Sequence, residues 1–325
     1  MSVPRYPQFE WSYSRWNMFE FCQRKFWHRY CGHWLGWLND APARTRRTYL
    51  LTKLKPTPAW IGGVAHSAIA RVLAGQDSRT VQAEVRERMA QEFQASSTRC
   101  FENFEDAKLG GLAEHFYDRA RDERLLLDAQ RKVEEAVAAL AGSDFPAMFA
   151  DARRSGRLAQ IESADKGGSD FARMRWKDDR IGPFWIYSQP DCVIEHEPGR
   201  FLILDWKTGN SRDMQERAPS LQLTLYVPWA LAQNPDVLSR ERLETIEAYE
   251  VYLPDLSMAG RSFSQDEIDQ AYGDVRSKAN RMLEKRVDGY GPLDYVTEEA
   301  DFEARASSNR CGACEFRAVC EEKQV

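Results

Sequence analysis

The run Phe201-Leu202-Ile203-Leu204 is apolar at every position and leads directly into Asp205-Trp206-Lys207. Successive strand residues point to opposite faces, so such a run suits a central strand covered on both sides. A partner strand over 191–196 is predicted, with Glu197-Pro198-Gly199 as the turn of a hairpin. A hairpin sets the start of one strand beside the end of the other, so Asp191 and Asp205 meet. Lys207, two residues past Asp205, emerges on the same face. Two carboxylates at one point repel unless a cation lies between them, and hard oxygen ligands select Mg²⁺ or Mn²⁺. A lysine beside a metal-bound water can orient it or help deprotonate it, and can offset charge on a pentavalent phosphate. Asp and Lys at this spacing also form an ordinary ion pair, and spacing alone leaves both readings open.

Around this hairpin the period of the pattern changes. Strand-like alternation is expected over 158–162, 171–176, 184–187 and 245–253. A helix is expected over about 220–232, kinked or broken near Pro228. Ser264-Gln265-Asp266-Glu267 reads as a capping box opening a helix with Ile268, Ala271, Tyr272, Val275 and Met282 inward. Upstream, Ser14 is placed to cap one helix carrying Trp16, Phe19, Cys22 or Gln23, Phe26 and Tyr30 on one face. Those aromatics, interleaved with basic residues, either pack a helix or stack bases. A second helix should begin near Trp60, with Gly62 and Gly63 at its start and His66 beside an apolar stripe of Ile61, Val64, Ala65, Ala68, Ile69 and Val72. From 80 to 140 the pattern stays helical and charged, as in an insertion or arch. The expectation is an α/β protein in four segments: 1–60, an aromatic and basic helical start; 61–156, a helical region; 157–260, the sheet-bearing core; and 261–325, a helix and cysteine-rich tail.

The chain has 325 residues and a net charge of -5, which excludes a uniformly basic nucleic-acid binder. The first 60 residues nevertheless carry ten Lys or Arg against Glu10, Glu20 and Asp40, so a polyanion could be held on one face, unless that surface is merely solvated. No apolar stretch reaches the ~18 residues of a membrane helix, and the first ten residues lack a secretory pattern, so a cytoplasmic protein is expected. There is no Gly-x4-Gly-Lys-Ser/Thr sequence for an ATP-driven motor. Seven cysteines in such a chain argue against a disulfide framework. Cys311-Gly312-Ala313-Cys314 followed by Cys320 brings sulfurs toward one metal centre but leaves a tetrahedral set one short.

Pro190-Asp191, the apolar strand and Asp205-x-Lys207 together resemble the PD-(D/E)XK nuclease superfamily. Gly62-Gly63-Val64-Ala65-His66, Asp205-Trp206-Lys207-Thr208-Gly209 and Gln222-Leu223-Thr224-Leu225-Tyr226 resemble three motifs of its RecB-like branch. Phe21-Cys22-Gln23-Arg24-Lys25-Phe26 is similar to the remote first cysteine of the iron–sulfur members, such as the C-terminal nuclease of AddB and the CRISPR-associated adaptation exonuclease. The resemblance implies a restriction-endonuclease-like mixed sheet flanked by helices, with a large helical insertion and a C-terminal metal-cluster tail. It implies a bacterial or phage DNA nuclease, an exonuclease on single strands or ends, serving recombination, CRISPR adaptation or phage replication. It assigns His66, Asp191, Asp205 and the Trp206 carbonyl, with Glu162 as a less secure addition, to Mg²⁺ or Mn²⁺. Lys207 then orients water, and Gln222 and Tyr226, one turn apart on a helix, face the strand being cut. Cys22, Cys311, Cys314 and Cys320 are implied as ligands of a 4Fe–4S cluster, with zinc as a chemical rival and Cys31 as the competitor to Cys22. A nuclease fold kept only for binding or assembly stays open at this point.

Overall fold

A computed structural model describes residues 5–117, 123–162, 175–179, 182, 184–209, 220–253 and 255–323, and the statements below concern these. The N-terminal part contains strand β1 (Glu10–Ser12), helices α1 (Tyr13–Phe21), α2 (Gln23–Tyr30) and α3 (Ala43–Leu51), and strand β2 (Leu54–Lys55). The helical part follows: α4 (Thr57–Leu73), α5 (Ser78–Thr98), α6 (Phe104–Ala107), strand β3 (Gly111–Leu112), α7 (Ala113–Tyr117), α8 (Glu123–Ala141) and α9 (Phe145–Arg154). Then come strands β4 (Ala159–Ile161), β5 (Arg175–Lys177), β6 (Trp185–Tyr187), β7 (Cys192–Glu197) and β8 (Arg200–Lys207). Helix α10 (Leu221–Gln233), strands β9 (Ile246–Tyr252) and β10 (Ser257–Ser262), and helices α11 (Gln265–Leu283) and α12 (Ser308–Gly312) complete the chain.

The central sheet has the order β10-β9-β8-β7-β4 and is mixed, β8 and β9 running parallel and the other neighbours antiparallel. The β7–β8 hairpin turns at Gly199, whose φ of +74° is a conformation that glycine adopts without steric cost. Strand β8 serves two cores by alternation. Leu202, Leu204 and Trp206 pack with Cys192 and Ile194 against α4, α5, α8 and α9. Phe201 and Ile203 pack with Val193 against Leu223, Tyr226, Val227 and Trp229 of α10. Each large apolar side chain so buried contributes roughly 1.5–3 kcal/mol, which explains why the polar residues of β8 are confined to its two ends. A third core joins Phe9, Trp11, Trp16, Phe19 and Phe26 to Val275 and Met282 of α11 and to Phe302. No helix among the described residues is long and apolar enough to cross a membrane.

Several local expectations need correction. The aromatic N-terminal helix is two helices, because Cys22 is extended (φ -163°, ψ 112°) between α1 and α2. The cap of α1 is Ser12, whose side chain accepts from Arg15 N, rather than Ser14. Trp16, Phe19 and Phe26 are buried, so they serve packing and not base stacking. Helix α4 starts at Thr57, before Trp60, which puts Gly62 and Gly63 inside it. Helix α10 continues through Pro228, because residues 223 to 231 are all buried and packing outweighs the lost backbone bond. The edge strand β10 was not legible: it is only partly buried, and Gly260 (φ +159°) lies so close to β9 that a Cβ would sit 1.9 Å from Ala248 O. Of the strand expected over 171–176, residues 171–174 lie outside the described residues, and Arg175–Lys177 forms β5. The capping box at Ser264 and Glu267 is present as expected.

Three of the basic residues of the N-terminal segment pair with carboxylates of the C-terminal tail. Arg24 donates from Nε to Phe302 O at 2.9 Å and pairs with Glu299 at 3.2 Å and Glu322 at 2.8 Å. Lys25 pairs with Glu315 at 2.7 Å, and Arg44 with Glu299 at 2.6 Å. These pairs fasten α2 and α3 to the C-terminal tail.

Candidate active site

Asp205 and Lys207 follow Phe201 and Ile203 on the face of β8 that α10 covers, so their side chains meet that helix. The Tyr226 hydroxyl donates to Asp205 Oδ1 at 2.7 Å, and Gln222 Nε2 donates to Tyr226 Oη at 2.5 Å. Lys207 Nζ donates to Gln222 Oε1 at 3.2 Å and is ion-paired with Asp205 Oδ2. The four side chains thus close a ring, made possible because Gln222 and Tyr226 are one helical turn apart.

Asp191 precedes β7 and lies against the other side of this ring. Its Oδ2 accepts from Trp206 N at 2.7 Å, and its Oδ1 is 3.1 Å from His66 Nδ1 on α4. Its backbone is held as well, Asp191 N donating to Leu204 O at 3.1 Å and Glu162 N donating to Asp191 O at 2.8 Å. Both aspartates are buried. Gly63, His66, Ala70 and Leu73, which recur along one face of α4, line a pocket of about 550 Å³ with Glu162, Asp191 and Trp206. On the α10 side, a second pocket of about 700 Å³ is lined by Tyr13, Ser14, Tyr187, Gln189, Gln222 and Tyr226, among others. Hence His66, Glu162, Asp191 and Trp206 border one opening, and Gln222 and Tyr226 border its neighbour.

The charges follow from burial and proximity. Burial raises the Asp205 carboxyl above the usual carboxylate range, and the Asp191 charge adds to this, against Lys207 and Tyr226, which favour the ionised form. For Lys207, burial acts against the charge, but Asp205, Glu250 and Asp191 outweigh it and hold the ammonium above its ordinary value. Lys207 is therefore a cation and not a base. Burial likewise opposes charge on His66, yet Asp191, Asp205 and the Trp206 backbone raise it to about 9. Glu250 was not singled out from the sequence. It is the register partner of Asp205 across the parallel β8–β9 pair, and Ser220 Oγ donates to it at 2.9 Å. Only the pairing of β8 with β9, across a long connection, brings it there.

Among the described residues, no group of three or more His, Cys, Asp or Glu side chains is drawn together closely enough to hold a metal ion as it stands. The acids are instead paired with Lys207 and His66. The donor set still suits a hard divalent ion, because Asp191 and Asp205 are both buried, the Asp191 charge raises the proton affinity of Asp205, and Asp205 Oδ2 already holds a cation, the Lys207 ammonium.

The implied cysteine ligands line one cavity at the chain ends but are not drawn close enough to hold a metal ion as they stand. Cys22, Cys311, Cys314 and Cys320 line this cavity with Lys25, His28, Arg310 and Arg317. The extended backbone at Cys22 is what breaks the N-terminal helix there. Burial pushes the Cys314 thiol up to about 12 and raises Cys320 also, so both thiols are protonated without a cation to stabilise thiolate. Four sulfurs with basic neighbours are a donor set that fits a thiolate-bound metal group. Cys31 instead packs against the aromatic core, beside Thr297. Cys192 is buried in the sheet core and Cys100 is exposed.

A mixed sheet carrying two buried aspartates and a lysine at the end of its central hairpin defines an α/β protein with a polar centre at the strand ends of the middle of the sheet. The sequence model of the PD-(D/E)XK nuclease superfamily matches residues 10–321. The chain belongs to that superfamily. Among solved structures, one titled "Crystal structure of SSO0001" is similar at 15% identity, with 62% of this chain and 81% of that chain covered and a TM-score of 0.26. No curated protein matches the chain.

Proposed function

We propose that the chain is a metal-dependent deoxyribonuclease that acts as an exonuclease on single strands or DNA ends. Asp191, Asp205, His66 and Glu162, with the Trp206 carbonyl, would hold one or two Mg²⁺ or Mn²⁺ ions. Such an ion, when bound, supplies Lewis-acid stabilisation of phosphoryl charge and lowers the pKa of a bound water. The observation that carries the reading is the meeting of buried Asp191 and Asp205 with the Lys207 ammonium at the end of one hairpin.

The chain's own groups divide the remaining work. Lys207, held cationic by three carboxylates, stabilises negative charge developing on a phosphate and orients a water by donating to it. Tyr226 and Gln222 fix Asp205 and Lys207 in one arrangement, which lowers the reorganisation needed during reaction. Trp206 N fixes one oxygen of Asp191 and leaves its orientation set by the backbone. We assign Cys22, Cys311, Cys314 and Cys320 to a structural 4Fe–4S cluster joining α2 to the tail. Iron and sulfide analysis of anaerobically purified protein separates this from zinc.

The test is incubation of end-labelled linear and circular single strands with Mg²⁺ or Mn²⁺. Degradation of the linear strand with survival of the circle is expected. Cleavage of the circle would replace the exonuclease reading by an endonuclease one, and binding without cleavage of either would refute hydrolysis.

A further inference from the structure

A groove of about 2410 Å³ lies between α3, the 97–102 segment that ends α5, and α7, away from the residues of the candidate active site. Its wall includes Arg46, Arg47, Arg99, Phe101 and Phe116, with Glu102 contributing one carboxylate. None of the three arginines has a carboxylate partner among the described residues. Arg46 is tethered by Nη2 to Leu38 O at 2.7 Å and Asn39 O at 2.5 Å, and its guanidinium lies 5.1 Å from the Phe104 ring centre. Arg47 is exposed and Arg99 half-buried, in contrast to Arg24 and Arg44, whose charges the tail neutralises. Phe101 and Phe116 meet edge to face at 5.3 Å and 88°, both half-buried. Such an arrangement suits stacking of further flat rings onto the groove wall.

We propose that this groove is a second contact site for single-stranded nucleic acid, with Arg47 and Arg99 on the phosphates and Phe101 stacking a base. The inference rests on the nuclease reading above. A chain of phosphates with intervening flat bases matches a groove wall that carries both guanidinium groups without carboxylate partners among the described residues and half-buried aromatic rings. An acidic peptide would use the arginines but not the rings.

The test uses the full chain with Asp205→Asn to prevent cutting, and fluorescence anisotropy with a labelled trinucleotide and a long oligothymidylate. Adding Arg47→Ala and Arg99→Ala should weaken the long strand by roughly tenfold or more and lower its log–log salt slope by about 1.4, the value for two single-strand phosphate contacts. Phe101→Leu should weaken it by roughly fivefold. Trinucleotide cleavage by the otherwise intact Arg47→Ala/Arg99→Ala protein should be unchanged. Cys100, exposed on the same wall, should be alkylated more slowly when the long strand is bound, as read by peptide mass spectrometry. Unchanged affinity of the double variant, or unchanged Cys100 alkylation, overturns the proposal while leaving the nuclease reading intact. Tighter binding of polyglutamate than of the oligonucleotide would reassign the groove to an acidic protein. Failure of the parent protein to bind any strand would remove both readings.

Discussion

The Tyr226 hydroxyl donates to Asp205 Oδ1 at 2.7 Å, in a site where both side chains are buried. Burial, and then the Asp205 and Asp191 charges, hold the phenol well above its ordinary range, so it remains a donor at every working pH. Tyr226→Phe leaves a buried carboxylate oxygen without its donor, at a cost of about 1–3 kcal/mol. Its urea unfolding midpoint should fall, and DNA cleavage should drop about tenfold because Asp205 and Gln222 lose their common anchor.

Asp205→Asn keeps the shape and the Tyr226 contact but removes the charge. Metal-dependent cleavage should fall by about 10²-fold or more, with the circular dichroism spectrum unchanged. A variant that still cuts at the wild-type rate would exclude Asp205 from the chemistry.

The fastening of α2 to the tail is expected to depend on Arg24 far more than on Arg44. Arg24 is buried between Glu299, Glu322 and the Phe302 carbonyl, and Arg24→Ala leaves that carbonyl without its donor while Glu299 keeps only Arg44 as a guanidinium partner, costing about 1–3 kcal/mol. The Arg44 side chain is half exposed, and its removal should cost under about 1 kcal/mol. Limited proteolysis should release the tail of the Arg24 variant first.

Cys314→Ala should lower folded yield and remove the bound metal. Cys31→Ala should leave metal content unchanged, since Cys31 lies in the aromatic core beside Thr297. Iron and zinc analysis of the two variants decides the ligand set, and equal metal content in both would reject it.

Acid should destabilise the chain through His28 and His33. Burial lowers each to about 4 from an ordinary 6.5, against Glu299 in the case of His28, which is 1% exposed with no hydrogen bond to either ring nitrogen among the described residues. The folded state then binds fewer protons than the unfolded state between those values. The contribution is complete above pH 6.5 and is lost as pH falls toward 4, by about 3 kcal/mol for His28. Measured unfolding free energies should decline across that window, and His28→Phe should flatten the decline.

Much of the architecture was legible locally. The two-faced run Phe201-Leu202-Ile203-Leu204 announced a central strand, because each of its side chains must leave water whichever face it points to. Ser264 and Glu267 announced α11, because a capping box needs only four neighbouring residues. The break at Cys22 was hidden: the aromatic spacing on either side of it is helical, and only the cavity shared with Cys311, Cys314 and Cys320 accounts for an extended residue there. Pro228 misled in the other direction, since burial on all sides holds α10 together where a solvent-exposed helix would end.

By itself, the order of residues determined that Asp205 and Lys207 share a strand face and that Asp191 lies across the hairpin from them, since alternation and a short turn are local geometry. Tertiary structure alone decided that α10 closes over that face to give Asp205 its Tyr226 donor, and that β9 brings Glu250 beside it. It also decided that Arg24, Lys25 and Arg44 are paired with Glu299, Glu315 and Glu322 while Arg47 and Arg99 have no carboxylate partner among the described residues. Those outcomes depend on which distant segments compete for the same apolar surface and the same charges, and no window of neighbouring residues contains that competition.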